Sequence, residues 1–310
     1  MPGQLARRLW LPVATLFSAS FVPQAFAAPV PAADHVFVVV MENRSVGQVR
    51  YQPYTASLMA AGAWFASSYA IGHPSQPNYF ALWSGSTQGV TSDACPPPGS
   101  PFSTANLGQA CEAAGKTWRS YAENLAAVGA TDCSFDGDAS TGLYTRKHAP
   151  WTYFSNVDHS NERPYTDLAT DLAAGQLPNL AFVVPNNCHN THNQRVDPSC
   201  DVPQGDAWLA ANLPPIIQAL GPNDLLILTW DEDDGSAGNN ILTVFAGPLV
   251  LPHSASVRYI THYTVVRTIA DALGVPPPGQ SASEFPIGDV WNSQTPAQAA
   301  TWGRLKLLYR

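Results

Sequence analysis

Charged side chains are scarce in this chain. Asp, Glu, Lys and Arg together make up 12% of its 310 residues, about half of the share in an ordinary globular protein. The 23 acidic residues outnumber the 15 basic ones, and the lysines and arginines do not cluster. Nucleic acids and anionic membranes attract clustered positive charge, so this composition argues against a nucleic-acid partner and against strong binding to an anionic membrane surface.

Long apolar runs are also rare. The segment 9–22 comes closest, but proline and serine interrupt it, so we expect no stable membrane anchor. Two arginines precede this segment and Ala-Phe-Ala at 25–27 follows it, which is typical of a secretory signal peptide. We therefore predict a signal peptide over residues 1–27, cleavage near Ala27, a secreted or periplasmic mature protein, and a single domain over 28–310.

Cysteine is limited to five residues, and none of them are in C-x-x-C spacing, which argues against a zinc knuckle. In an oxidising compartment these residues are disulfide candidates. Cys188 and Cys200 enclose a short irregular segment, and we predict that they pair. Cys95, Cys111 and Cys133 compete for one further bridge, which leaves one cysteine unpaired.

Three short apolar runs stand out, at His35–Met41, Asn179–Pro185 and Asp224–Trp230. Continuous aliphatic runs of this length are typical of parallel strands buried on both faces, and a fourth run at 240–250 is expected to pair beside them. Helical patterns lie between these runs, at 54–66, 80–86, 166–175, 206–220 and 264–274, the last closed by Gly274. The alternation predicts an α/β fold with a mainly parallel central sheet flanked by helices.

Polar residues follow each predicted strand. Glu42–Asn43 ends the first, Asn186–His192 ends the second and Asp231–Asp234 ends the third. Each group alone fits an ordinary turn. Because parallel strands direct their carboxyl ends to one edge, where α/β proteins bind ligands, three such groups together predict a functional site.

The segment GHPSQPNYFALWSGST, 72–87, places Ser75 at the start of a predicted helix. If that helix starts near Gln76, Ser75 is its N-cap and Pro77 is tolerated in the first turn. A hydroxyl there lies beside free backbone N–H groups, a natural cradle for phosphate, and Asn78 could donate to the anion. A plain N-cap is the alternative.

Six ordered motifs in this chain resemble those of the phosphoesterase family that includes acid phosphatases and phosphatidylcholine-type phospholipases C, within the alkaline-phosphatase-like superfamily. The motifs are VVVMENRS, HPSQPNYFALWSGST, YTRKHAPWTYFSNV, VPNNCHNTH, TWDEDDG and THYTVVRTIADALGV. The resemblance implies that residues 28–310 form a single phosphoesterase catalytic domain with an alkaline-phosphatase-like fold.

The resemblance also implies roles for individual residues. The metal ligands it implies are Glu42, Asn43, Ser75, Asp231 and Glu232. Ser75 would be the nucleophile and His192 the second catalytic residue, close to the phosphate or leaving group. The substrate-binding candidates are Asn78, His148, His189, Asn190 and His262. Asn190 stands where the family often has Asp, which argues against a second full metal site.

These residues define the expected function, a secreted metal-dependent phosphomonoesterase of acid-phosphatase type that acts through a phosphoserine on a small phosphate monoester. The oxygen-rich ligand set suits a divalent ion such as Mg, Ca, Mn, Fe or Zn. Two alternatives remain: a phospholipase C or phosphodiesterase of the same family, and a non-catalytic secreted protein that binds a divalent cation.

Overall fold

The structure is a computed structural model that describes residues 30–137, 142–192 and 197–292. The predicted signal peptide at 1–27 lies outside the described residues, as do both ends of the predicted domain. No helix within the described ranges combines the length and the apolar character needed to cross a membrane.

The described residues form eleven strands, seven α-helices and four short 3-10 helices. The strands are β1 His35–Met41, β2 Ala63–Tyr69, β3 Trp118–Ala122, β4 Ser134–Phe135, β5 Tyr144–Thr145, β6 Glu162–Pro164, β7 Leu180–Val184, β8 Asp224–Trp230, β9 Asn240–Ile241, β10 Thr243–Ala246 and β11 Ser254–Thr261. The α-helices are α1 Val46–Val49, α2 Pro53–Ala61, α3 Ser75–Ser84, α4 Leu107–Ala113, α5 Thr166–Ala174, α6 Val202–Ala219 and α7 His262–Leu273. The 3-10 helices are Arg146–His148, Pro150–Tyr153, His159–Asn161 and Gly279–Ser283.

The central sheet has the strand order β11-β2-β10-β8-β1-β7-β3-β6, with β9 added beside β2. β1 pairs in parallel with β7 and β8, β3 with β6 and β7, and β2 with β11. β10 is antiparallel to both β8 and β2, so β2 and β11 run in the same direction as β8. The carboxyl ends of these seven strands therefore meet at one edge, and the predicted mainly parallel sheet is confirmed.

Helices cover both faces of this sheet. Val36 and Val38 of β1 pack in a core with residues of α3 and α7, whereas Phe37 and Val39 pack in a second core with residues of α2 and α6. All four side chains are fully buried. Full burial of an aliphatic or aromatic side chain stabilises the fold by about 1.5–3 kcal/mol, which explains why β1 is an unbroken apolar run.

α3 is buried along its whole length and ends at Gly85, which has a φ of 62°. A Cβ atom at Gly85 would lie 2.1 Å from the carbonyl oxygen of Pro278. Glycine is required there both by the left-handed conformation and by this close backbone approach.

The predicted helix at 54–66 is only half correct. α2 ends at Ala61, and Ala63–Tyr69 forms β2, which pairs with β10 and β11. The apolar pattern continues through Gly62, but sheet pairing decides the conformation beyond it.

Of the cysteines, Cys188 pairs with Cys200 as predicted, Cys95 pairs with Cys133, and Cys111 is a buried free thiol.

Candidate active site

The carboxylates predicted to converge lie together at the carboxyl edge of the sheet. Glu42 follows the last residue of β1 and Asp231 the last residue of β8. Met41 and Trp230 are register partners, so the two acids leave the sheet side by side. Both are fully buried.

Ser75 lies at the same edge and its hydroxyl faces this cluster. Its Oγ is 3.1 Å from Glu232 Oε1, 3.2 Å from Glu42 Oε2 and 3.4 Å from Asn43 Oδ1. Ser75 is the first residue of α3 and Pro74 is the N-cap, so the expectation that Ser75 caps the helix was wrong. A hydroxyl has a single proton, so it donates to one of these three oxygens at a time.

Asn43 joins the ends of β1 and β8. Its backbone N–H donates to Asp231 Oδ1 at 3.0 Å, and its side-chain amide donates to Glu232 Oε1 at 3.0 Å. Its φ of 47° is left-handed, a conformation that asparagine tolerates better than most residues. The sharp turn lets one residue, Asn43, bind both carboxylates, one through its backbone N–H and the other through its side-chain amide.

Asn78 holds the segment that leads into α3. Its Oδ1 accepts the N–H groups of Ile71 and Gly72 at 2.9 and 3.2 Å. Its amide N–H groups donate to the Gly72 carbonyl at 2.8 Å and to Glu232 Oε2 at 3.2 Å. In this structure Asn78, a substrate-binding candidate, links the loop before Ser75 to Glu232.

His73 lies at the partly exposed rim of the cluster and contacts the second half of the acidic segment 231–234. The ring of His73 contacts Glu232 Oε2 at 2.9 Å and Asp233 Oδ1 at 3.2 Å, and the side chain is 44% exposed. Asp233 also accepts the N–H groups of Gly235 and Ala237 at 2.8 and 2.6 Å. Asp233 therefore stabilises a turn, which is the interpretation that this acidic group has when it is considered alone.

His148 closes the buried side of the cluster. Its Nε2 lies 3.1 Å from Glu42 Oε1, its Nδ1 lies 3.1 Å from Thr145 Oγ1, and its ring stacks on Tyr79. The contact between His148 Nε2 and Glu42 Oε1 lacks hydrogen-bond geometry, and Asp231 Oδ2 is likewise buried without a hydrogen bond in the described part of the chain. Unpaired buried polar atoms are rare in proteins, so this group fits a bound cation or ordered water.

The cluster has strongly perturbed acidities. Burial raises the pKa of Glu42 to about 7, and burial together with the charge of Glu42 raises the pKa of Glu232 to about 8. The same two causes hold the pKa of Asp231 well above its ordinary value. Protons or a cation must therefore neutralise these carboxylates near neutral pH.

The donor chemistry suits a divalent ion. Carboxylate, amide and hydroxyl oxygens are the ligands that hard divalent ions prefer, and Glu42, Asn43, Ser75 and Glu232 supply all three types. Over the described ranges, however, no group of three or more His, Cys, Asp or Glu side chains is placed to hold a metal ion. The residue types fit the ion, whereas the carboxylates do not form a complete coordination sphere.

The N-terminus of α3 is capped by a distant residue. Asp93 Oδ1 accepts the N–H of Gln76 at 3.0 Å, and Asp93 Oδ2 lies 2.8 Å from Nζ of Lys147. The predicted cradle of free N–H groups is therefore partly filled by a carboxylate, which corrects that expectation.

The segment after β7 contributes to the same edge. The Asn190 carbonyl accepts the N–H of Glu42 at 2.8 Å, and its Oδ1 accepts the N–H of His192 at 3.0 Å. Burial, Lys147 and His192 together hold the pKa of His148 well below its ordinary value, so His192 lies within electrostatic range of the cluster.

Two other histidines that the resemblance assigns to substrate binding contact protein groups in this structure. His189 Nδ1 lies 2.8 Å from Glu123 Oε2, and its ring stacks on Trp208. His262 is buried at the start of α7 and lies behind Asp231, with its Nε2 2.6 Å from the Asp231 carbonyl oxygen. Burial lowers the pKa of His262 to about 4, so the neutral ring donates this hydrogen bond.

Three residues at this edge were not singled out from the sequence. Glu123 follows β3 directly, so the strand-end pattern that identified Glu42 would also have found it. Lys147 precedes His148 within a quoted motif. Asp93 lies in a loop with no recognisable pattern, and only the folded chain places it at α3.

The fold resembles that of a solved structure of the alkaline phosphatase superfamily. A protein of the alkaline phosphatase superfamily from Vibrio parahaemolyticus superposes with a TM-score of 0.58 at 13% identity, over 84% of this chain and 71% of that chain. This likeness shows the fold alone, and it confirms the expected alkaline-phosphatase-like architecture.

Sequence comparison identifies the family. Residues 48–276 match the model of the Phosphoesterase family. The phosphatidylinositol-3-phosphatase of Mycobacterium tuberculosis is 40% identical over 269 residues, which are 86% of this chain and 85% of that protein. The acid phosphatase of Aspergillus fumigatus is 26% identical over 261 residues, 80% of this chain but only 57% of the fungal protein. This chain belongs to the Phosphoesterase family and is a hydrolase of phosphoric ester bonds, as its motifs indicated.

Proposed function

We propose that the protein is a secreted, metal-dependent phosphomonoesterase that transfers a phosphoryl group to Ser75 and then to water. The observation that supports this most strongly is the position of Ser75 Oγ, within 3.4 Å of Glu42, Asn43 and Glu232 at the start of α3. A serine hydroxyl held among such groups is suited to act as a nucleophile.

The first step is an in-line attack of Ser75 Oγ on phosphorus, which breaks the bond to the ester oxygen and releases the alcohol, while the hydroxyl proton passes to an adjacent carboxylate. Glu42, Asn43, Asp231 and Glu232 would hold a divalent ion of the Mg, Ca, Mn, Fe or Zn class. Such an ion, when bound, lowers the pKa of the serine hydroxyl and offsets charge on the transferred group.

The second step is the attack of water on phosphoserine, which breaks the bond between Ser75 Oγ and phosphorus and releases inorganic phosphate, while the carboxylate returns the proton to Ser75. His192 is half-buried near the cluster. It would give a proton to the alcohol that leaves in the first step and accept one from the attacking water in the second. Asn78 keeps Ser75 oriented through the loop that it holds to Glu232.

A comparison of Ser75→Ala with Ser160→Ala, an exposed serine, tests this function. The substrate is a chromogenic phosphate monoester, assayed after chelation and after return of each candidate ion. We expect turnover to fall by about a thousandfold or more in folded Ser75→Ala and to be unchanged in Ser160→Ala. Retained turnover in Ser75→Ala contradicts the proposal. If the wild-type protein does not turn over the monoester, diesters and phospholipids are assayed next. If it does not turn over those either, the non-catalytic protein that binds a divalent cation is the remaining alternative.

The relative from Mycobacterium tuberculosis favours a second candidate, in which a phosphoinositide headgroup carries the monoester. Vesicles that contain phosphatidylinositol 3-phosphate, compared with its water-soluble headgroup, separate the two. A much higher kcat/KM on vesicles supports the lipid, and equal values support a small soluble monoester.

Export rests on the signal-like residues 1–27 and on the two disulfides, because such bonds persist in oxidising compartments. N-terminal sequencing of the protein recovered from outside the cytoplasm tests it. A mature N-terminus near residue 28 is expected, and recovery only of an uncleaved cytoplasmic chain contradicts it.

A further inference from the structure

The N-terminus of α3 offers few donors to a substrate phosphate. The N–H of Gln76 is engaged by Asp93, and Pro77 has no N–H to give. The side chain of Asn78 is engaged by Gly72 and Glu232. Positive charge for the phosphoryl group, beyond that of the proposed divalent ion, must therefore come from another part of the site.

Within the described residues, two basic side chains lie beside the carboxylate cluster. Arg44 donates to the Asn43 carbonyl at 2.8 Å. The acids that act electrostatically on its guanidinium are Asp234 and Asp201, outside the buried carboxylate cluster. Lys147 lies in the field of Glu42, Asp93 and Asp231. Of these two, Lys147 is the cation on the side of the buried carboxylates, with its Nζ 2.8 Å from Asp93 Oδ2.

Short contacts connect Lys147 to Ser75 from two directions. On one side its ammonium contacts Asp93, which holds the N–H of the residue after Ser75. On the other side the adjacent His148 contacts Glu42, whose second oxygen lies 3.2 Å from Ser75 Oγ. The Lys147 side chain is 17% exposed, so part of it is accessible to a bound ligand. Burial alone would lower its pKa, but the surrounding carboxylates raise it, so the ammonium stays charged.

We propose that Lys147 binds the phosphoryl group presented to Ser75 and makes the site selective for phosphate monoesters over diesters, with Asp93 positioning its ammonium. A monoester carries close to two negative charges at neutral pH, whereas a diester carries one. A charge-assisted contact therefore favours the monoester. This inference rests on the proposed function and adds the substrate class that the site prefers.

Four variants of the full chain test this role, each assayed with the divalent ion that gives most turnover. They are Lys147→Met, Lys147→Arg, Asp93→Asn and, as the matched control, Lys116→Met. The readouts are kcat/KM for an aryl phosphate monoester and for the corresponding diester, and the Kd of inorganic phosphate by calorimetry.

We expect Lys147→Met to lower monoester kcat/KM and to weaken phosphate binding by about 10- to 100-fold, with a much smaller loss on the diester. Lys147→Arg keeps the charge and recovers most of the loss. Asp93→Asn keeps an acceptor for Gln76 but releases the ammonium, so an intermediate loss is expected. Lys116→Met changes nothing.

Equal losses on monoester and diester in folded Lys147→Met, with unchanged phosphate affinity, overturn the proposal and leave Lys147 as a structural counter-ion. If Lys147→Met does not fold, an unchanged monoester-to-diester ratio in Asp93→Asn and Lys147→Arg overturns it equally. Ser75→Ala separates this failure from that of the proposed function. An inactive Ser75→Ala beside an unaffected Lys147→Met rejects only the role of Lys147.

Discussion

The hydroxyl oxygen of Ser75 lies 3.1 Å from Oε1 of Glu232, although 157 residues separate the two in the chain. Each residue stands beyond the carboxyl end of a parallel strand, Ser75 after β2 and Glu232 after β8. Asn43, which follows β1, donates to the same carboxylate oxygen. The register of three strands therefore sets the geometry of the site.

The metal-free protein is expected to lose stability as pH rises. The folded-state pKa values of Glu42 and Glu232, about 7 and about 8, exceed the ordinary value of 4.5. Their stabilising effect is therefore fully present below pH 4.5 and is lost as pH rises through 7 and 8. Chemical denaturation of chelated protein at several pH values should show a loss on the order of a few kcal/mol between about pH 5 and pH 8.

A divalent ion replaces the protons and should flatten this pH dependence. Glu232→Gln removes one of the repelling charges and should also reduce the slope in chelated protein. Stability that is independent of pH after chelation contradicts the view that burial and mutual repulsion disfavour the charged carboxylates in the fold.

Asp206 is expected to be a strong contributor to stability. This buried carboxylate of α6 accepts the N–H groups of Tyr54 and Thr55 at 2.9 and 2.8 Å, and so caps α2 in place of a local residue. Asp206→Ala should lower the free energy of unfolding by about 2–3 kcal/mol. Urea denaturation measures it.

Asp167→Ala is the matched control for Asp206, because Asp167 forms only a partly exposed pair with Arg163. It should cost less than about 0.5 kcal/mol. Equal effects of the two substitutions would show that the contact between Asp206 and α2 contributes little.

His262 is expected to position Asp231 rather than to contact substrate. His262→Ala removes the donor to the Asp231 carbonyl, so affinity for the divalent ion should fall by about tenfold or more while KM changes little. Titration of chelated protein with the ion, followed by activity and by melting temperature, measures this loss.

His262→Gln keeps a donor and should restore part of the affinity. Because the pKa of His262 is only about 4, the pH profile of His262→Gln should parallel that of the wild type. A large rise in KM with unchanged ion affinity would instead make His262 a substrate-binding residue.

The sequence predicted those features that depend on local pattern. β1, β7 and β8 are continuous apolar runs, so the acids that follow β1 and β8 could be placed at one edge. β2 was missed because Ala63–Tyr69 continues a helical apolar pattern, and only pairing with β10 and β11 makes it a strand.

Sequence patterns did not predict the contacts that loop residues make with distant elements. Asp93 reaches an N–H of α3 that lies 17 residues earlier in the chain, and no spacing rule connects the two. The contacts of Asn78 with Glu232 and of His262 with Asp231 likewise depend on where their side chains point, which no sequence pattern shows.

The stereochemical course of the reaction at phosphorus tests the central claim most directly. A phosphate monoester made chiral with oxygen isotopes is turned over in the presence of an acceptor alcohol, and the configuration of the product ester is determined. Transfer through Ser75 involves two in-line displacements, so the account predicts net retention. Net inversion would mean a single direct displacement and would contradict a phosphoserine intermediate.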